Sequence, residues 1–262
     1  MSFTGKSPAN TYKDITYVDN NNSGADSTTR QVKTGNGADT SIKVSDRQLI
    51  VTSATDNVGA MMVKNAADTT KFVVDTANDQ VKALGQHVNT QYAYFGMDSQ
   101  GSANYLADTH HPVPFFANSA GGVLTDNLTF GTSTDPATSF TTADGSNTDA
   151  SLLVPFLWYV PDSITIDKVF SIEGKESSAT ATTRCHLYSY TFNTGSTSAL
   201  TSGTLLAHNS DVTNAGSEQA YLSEWTVDSA SVAAGKVILA FFRMDSTADD
   251  YGVSITVKYH LT

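Results

Sequence analysis

From Met1 to about Gln80 half of the chain is Ser, Thr, Asn, Asp and Gly, and it offers a hydrophobic core almost nothing. Its apolar residues come in brief words such as Leu49-Ile50-Val51 and Phe72-Val73-Val74. Ordering the backbone costs about 1–2 kcal/mol per residue. A fully buried Val, Leu or Phe contributes about 1.5–3 kcal/mol, so a few such words cannot offset so long a segment. A single copy is expected to stay disordered. Order must come from identical copies or from a partner surface. This favours an assembly component over a free-standing enzyme.

Composition narrows the class further. With 262 residues, one large domain or two smaller ones are expected. Only 16% of residues are charged, and the hydroxyl-rich, β-leaning mix suits extracellular or virion β-structure better than a cytosolic α/β enzyme. A net charge of -11 argues against nucleic acid as a partner, because nothing could neutralise phosphates in bulk. The longest apolar run is far short of a membrane span, so membrane insertion is not expected. Met1-Ser2-Phe3-Thr4-Gly5-Lys6 lacks the apolar region that Sec-type export needs. Proteins of this composition without an export signal are commonly released by cell lysis.

Three segments follow one another. Residues 1–45 read as an extended arm, punctuated by Gly24, Gly35 and Gly37, whose isolated apolar residues suit pockets on a neighbour. Tyr12, Ile15, Tyr17 and Val18 are the candidate anchors. The plainer alternative is an unanchored polar terminus. Residues 46–116 carry short strand words: Gln48–Thr52, Ala60–Val63, Lys71–Asp75, Val81–Leu84 and Tyr92–Phe95, with turns at Asp56-Asn57, Asn65 and Asn78-Asp79. The rhythm recurs without a repeating residue pattern. Wrapping three copies about an axis would close the strand edges and bury the apolar side. Met61, Val63, Phe72, Val74, Val81 and Leu84 are the candidate trimer-interface residues.

Residues 117–262 hold strand candidates at Leu152–Val160, Ile164–Ile172, Cys185–Phe192, Tyr221–Val227, Val237–Met244 and Val253–Leu261. The last alternates cleanly, with Val253, Ile255, Val257, Tyr259 and Leu261 on one face. Pro155 and Pro161 place the first at an edge or a bulge. No helical period competes, so an all-β chain is expected: an extended arm, a short trimeric β shaft, and a C-terminal antiparallel β-sandwich or jelly roll.

Pro8-Ala9-Asn10-Thr11-Tyr12-Lys13-Asp14-Ile15, then Val18-Asp19-Asn20-Asn21-Asn22-Ser23-Gly24, Thr29–Lys33 and Gly35-Asn36-Gly37 form a connected pattern. It resembles the N-terminal attachment segment of tailed-phage fibre and appendage proteins, especially those of marine phages. Phe72–Val81 resembles a shaft phrase of such fibres, and His110-His111-Pro112-Val113-Pro114-Phe115 the step into a distal domain. The resemblance covers residues 1–116 and carries no catalytic motif. It implies a homotrimeric virion protein whose arm docks on other virion proteins and whose shaft carries a β head. Similar anchors occur on head fibres and tail fibres alike.

Chemistry is sparse. His110-His111 is the obvious metal suspect, but no Cys or further His lies at zinc-ligand spacing, so a turn held by imidazole hydrogen bonds is expected and no metal. On a trimer axis three copies could supply three ligands. Asp144–Asp149 and Asp245–Asp250 are oxygen-rich but lack a Glu in calcium-loop register and read as solvated loops. No Gly-x-Ser-x-Gly elbow or Gly-rich phosphate cradle is present. Adjacent Cys185 and His186 point to opposite faces of a strand. Cys185, the single cysteine, reads as a buried, inert thiol. The four glutamates, Glu173, Glu176, Glu218 and Glu224, cannot be paired from sequence. No catalytic residue and no cofactor is expected. Aromatic residues of the head could instead stack against a host surface glycan, with Trp158, Trp225 and Tyr251 the candidate contacts, although packing in a core or interface competes for them. An accessory domain of a secreted hydrolase is a third reading, at odds with the fibre-like N-terminus.

Overall fold

The structure, a computed structural model, describes residues 16–21, 23–101, 104–115, 128–145, 147–176, 181–246 and 250–262. The chain divides into two compact units, residues 1–88 and 89–262.

The first unit contains β1 (Thr16–Val18), β2 (Arg30–Thr34), β3 (Asp39–Val44), β4 (Leu49–Val51), β5 (Met61–Lys64), β6 (Thr70–Asp75), β7 (Gln80–Ala83) and β8 (Gln86–His87). β1 to β4 form one four-stranded antiparallel meander and β5 to β8 another. Short Thr- and Val-bearing words close locally because the turns between them accept left-handed backbone. Gly37, at φ +84°, donates to Thr34 O at 2.8 Å and links β2 to β3. Asn65 Oδ1 accepts from the backbone N–H of Ala67 and Thr69 at 3.2 and 2.8 Å, shaping the turn before β6.

The boundary expected at residue 45 falls inside the first sheet. Ile42 lies opposite Val51 and Val44 opposite Leu49, so β4 belongs with the segment read as an arm. Tyr17 and Val18 sit in β1, paired with Lys33 and Val32. Tyr12 and Ile15 lie outside the described residues.

The second unit is the expected antiparallel sandwich. It runs β9 (Thr90–Gln100), β10 (His111–Val113), α1 (Ala150–Leu153), β11 (Trp158–Tyr159), β12 (Ile164–Lys175), β13 (Thr182–Phe192) and β14 (Leu200–His208). β15 (Val212–Thr213), β16 (Gln219–Glu224), β17 (Thr226–Val227), β18 (Ser231–Val232), β19 (Lys236–Met244) and β20 (Tyr251–Leu261) complete it. One sheet has the order β10-β19-β13-β14-β17, with β11 beside β19 and β15 beside β13. The other has the order β16-β12-β20-β9, with β18 beside β12.

Two cores flank the first of these sheets. Between the sheets lie Phe95, Val169, Cys185, Leu187, Phe242 and Ile255, among others. On its far side Leu128, Phe130, Phe140, Leu153 and Phe156 pack on Tyr190, Leu200, Leu239 and Phe241. β19 therefore buries both faces, Ile238, Ala240 and Phe242 toward one core and Val237, Leu239 and Phe241 toward the other. This is why it reads as a continuous apolar run and not as an alternation.

Three strand assignments change. Leu152–Val160 is not one strand: Ala150–Leu153 makes a helical turn, Val154–Phe156 continues as 3-10 helix, and only Trp158–Tyr159 pairs, with β19. Pro155, with φ fixed near the helical value, suits the 3-10 turn. Tyr92–Phe95 belongs to the sandwich, because β9 pairs with β20 along its length and buries Ala93, Phe95 and Met97. Tyr221–Val227 is split at the buried Trp225, where the chain leaves one sheet as β16 and joins the other as β17.

Candidate assembly interface

Among the described residues, every buried apolar side chain lies in the second unit, from Ala93 onward. The two sheets of the first unit have apolar faces but no core. Register defines the face of the β5–β8 sheet: Met61 lies opposite Val74 and Val74 opposite Val81, while Val63 lies opposite Phe72 and Phe72 opposite Ala83. Residues directly opposite share a face, as do residues two apart along a strand. Five of the six expected interface residues, Met61, Val63, Phe72, Val74 and Val81, thus form one continuous patch. Met61 and Val63 are 45% and 51% exposed, and the other three are half-buried.

Leu84 is the exception. It forms the β7–β8 turn with Gly85, at φ +52° and +81°, and stands 73% exposed off the end of the face. A two-residue turn with both φ values positive suits hairpin twist, and Asn or Gly usually fills its first position. A leucine there is strained and solvated within the protomer.

The β1–β4 sheet repeats the arrangement, with Ile42, Val51, Val44 and Leu49 in register on one side. Ion pairs hold its first turn and hairpin. Arg30 pairs with Asp26 at 2.8 Å, and Lys33 with Asp19 at 2.9 Å. The Arg30 guanidinium, helped by the Thr28 N–H, holds the Asp26 carboxyl down to about 2. Tyr17 is 43% exposed and Val18 half-buried.

The proposed sugar-stacking residues are not available. Trp158, Trp225 and Tyr251 are 7%, 4% and 0% exposed. Each points into the inter-sheet core, Trp158 and Tyr251 from inward strand positions and Trp225 from the crossing between β16 and β17. Trp225 donates from Nε1 to Ser171 Oγ at 2.9 Å, and Tyr251 donates to Glu173. Among the described residues of this unit, the aromatics that do face solvent are Tyr92 and Tyr94, two apart on β9, Tyr159 and Phe192. Tyr92 is in register with Lys258, and Tyr94 with Thr256.

Glu173 is fully buried and accepts four hydrogen bonds, from Ser171, Asn209, Thr183 and Tyr251. Glu176, Glu218 and Asp250, by contrast, border a surface cleft floored by Gly174, Ala220 and Gly252. Sequence could not bring these carboxylates together, since they come from separate strands and loops. Asp245 caps a strand end, its Oδ1 accepting from Thr182 N–H at 2.8 Å. Asp144 and Asp149 border a surface hollow with Thr142 and Ser151. Cys185 is the buried thiol expected, pushed well up by burial, with Tyr251 OH at 3.5 Å.

The histidine pair is held by hydrogen bonds as anticipated, though His111 opens a strand where a turn was expected. His111 Nε2 accepts from Leu106 N–H at 2.9 Å, and His110 Nε2 donates to Ser133 O at 2.9 Å. His110 also packs against His186, a neighbour no motif announced.

No family model matches the chain, and no curated protein matches it either.

Proposed function

We propose that this chain is a structural protein of a tailed-phage virion, a homotrimeric fibre or appendage whose β-sandwich head faces solvent. One observation carries the reading. A whole unit of antiparallel sheet has an apolar face on each of its two sheets, yet no described apolar residue of that unit is buried. A sheet with an open apolar face needs a second layer. Burying five such side chains, at about 1.5–3 kcal/mol each, is on the scale of a small domain's entire stability. Identical copies supply that layer most simply, and the resemblance of Pro8–Gly24 and Phe72–Val81 to fibre phrases supports three of them. Residues up to β4 then form the mount on the capsid or tail.

The reading is tested by light scattering coupled to size exclusion on the full chain, with a trimer mass expected. A compact monomer would overturn it. Removing residues 1–52, which takes out the first sheet whole, should leave a soluble trimer that no longer copurifies with particles. Copurification of the truncated protein would refute the mount. If the head of such a fibre also binds a glycan, the exposed Tyr92, Tyr94 and Tyr159 are the stacking surfaces, in place of the buried tryptophans.

A further inference from the structure

Residues 128–140 lie across the far side of the β13–β19 sheet as a flap. Leu128, Phe130 and Phe140 are its buried underside, packed on Tyr188, Tyr190, Leu200 and Phe241. One end is fastened at Tyr190, whose OH donates to Ala137 O at 2.8 Å, and at Gly203, whose N–H donates to Thr138 O at 2.8 Å. The other end is fastened at the histidine pair: the His111 ring bonds the Leu128 backbone, and the rest falls to His110. Its backbone exchanges bonds with Gly131 and Phe130 at 2.9 and 2.8 Å, and its ring holds Ser133 O.

Beneath this second end three imidazoles meet. His110 and His186 rings lie 5.1 Å apart, edge to face, and His186 and His208 rings lie 6.5 Å apart, stacked. His186 and His208 are directly opposite each other on β13 and β14. His110 and His186 are 0% and 1% exposed, and Nδ1 of each is buried without a hydrogen-bond partner.

The charges around them are unbalanced. Arg184, two residues before His186 on β13, is paired with Asp211, and Arg243 on β19 is paired with Asp108. Asp228 is taken by His208 at 2.8 Å. That leaves Asp135, on the flap itself, 3.4 Å from His186 Nε2. Tyr188 flanks His186, and His111 follows His110 in the chain with its ring turned toward Tyr105 and Phe242. A proton on His186 would sit near Arg184 and Arg243, and one on His110 near Arg243, with Asp135 the one carboxylate beside them.

We infer that His110 and His186 form an acid-operated latch: neutral, they hold the flap down, and protonated, they release it and bare the aromatic core beneath. Burial keeps both rings below the ordinary imidazole range, His186 down to about 3, with the neighbouring His110 and Arg184 adding to the effect. Lifting the flap hydrates the rings and returns them to about 6.5. The closed form is thus fully favoured above about 6.5. It loses ground as pH falls, because the open form then binds more protons. His186, which stays neutral when closed, raises the opening equilibrium about 25-fold between pH 7 and pH 5, and His110, lowered in the same direction, adds to it. Ordinary carboxylates remain ionised over that window.

Hydrogen exchange on the full chain, corrected for intrinsic rates, reads this directly. Residues 128–140 should lose protection by at least about 25-fold from pH 7 to pH 5, while the centre of β20 keeps its protection. Carrying His110→Gln and His186→Gln together should flatten that response. A flap equally protected at both pH values, or a double variant as acid-sensitive as wild type, would overturn the latch. If the double variant misfolds, the imidazole proton signals of wild type decide: two rings neutral until the flap opens support it, and all rings titrating freely near 6.5 refute it.

Discussion

Tyr251 donates a hydrogen bond to Glu173 Oε2 across 3.0 Å, with both residues fully buried between the two sheets of the sandwich. Thr183 Oγ1 shares that oxygen at 2.6 Å, while Asn209 Nδ2 and Ser171 Oγ bind Oε1 at 2.9 and 3.2 Å. A carboxylate in a core is tolerated only when its lone pairs are filled this way. Trp225 extends the network through Ser171, and Asn209 Oδ1 reaches back to the Cys185 N–H at 2.7 Å. One side chain therefore ties β12, β13 and β20 together.

Glu173→Leu should lower the unfolding free energy by about 3–5 kcal/mol, because four donors lose their acceptor at once. Glu173→Gln should cost far less, about 1–2 kcal/mol, since hydroxyls can turn to accept from an amide. Urea unfolding followed by tryptophan fluorescence measures both. Equal midpoints for Leu and wild type would mean the network contributes no stability.

Phe72→Asp tests the β5–β8 face. Three carboxylates brought near one axis in a poorly hydrated seam cost several kcal/mol per trimer. Light scattering should report monomer, while the sandwich still unfolds cooperatively on heating. Lys71→Asp, one residue away on the opposite face, should leave the mass unchanged. If Phe72→Asp stays trimeric with an unchanged melting temperature, that face is not the seam.

Gly203→Ala tests the flap from its other end. A Cβ there would stand 2.6 Å from Tyr190 Cε1 and 2.8 Å from Thr138 Cα. The tyrosine ring is pinned by its bond to Ala137 O, and the other obstacle is backbone, so neither yields easily. Overpacking of this kind costs about 1–3 kcal/mol. Thermal unfolding should fall accordingly; an unchanged Tm would show that the flap does not press on Gly203.

The sandwich was legible where one face is wet. Val253, Ile255 and Val257 are buried as their alternation requires, with Ser254 exposed between them. β14 was missed because Leu200–His208 mixes Thr, Ser and Gly with Leu, and its Gly203 is small for a tertiary reason that sequence does not carry. Leu152–Val160 misled because apolar residues at a helical turn under the flap look like those of a buried strand. The shared apolar face of Met61, Val63, Phe72, Val74 and Val81 was legible from their alternate spacing within short strands, and the pairing of β5, β6 and β7 sets them in register. Trp158, Trp225 and Tyr251 were misplaced because an aromatic ring looks the same in sequence whether it faces a ligand or a core. The histidine cluster could not be read at all: His110, His186 and His208 meet only through the pairing of β13 with β14 and the return of the chain before β10.

The order β16-β12-β20-β9 puts the last strand of the second unit in the interior of its sheet, between strands made long before it. Beyond a single bridge from Phe95 to Phe115, β9 has no partner among the described residues until β20 has been synthesised, and β12 waits for the same event on one of its edges. At about 5–20 residues per second, translating residues 89–262 takes on the order of ten seconds or more. For that interval the nascent chain carries the apolar faces of β1–β8 and the half-built sandwich together on one ribosome. A chain obliged to wait benefits from being poor in sticky sequence. The Ser-, Thr- and Asn-rich composition of the first 88 residues keeps them soluble over that interval, so the scarcity of apolar residues serves biosynthesis.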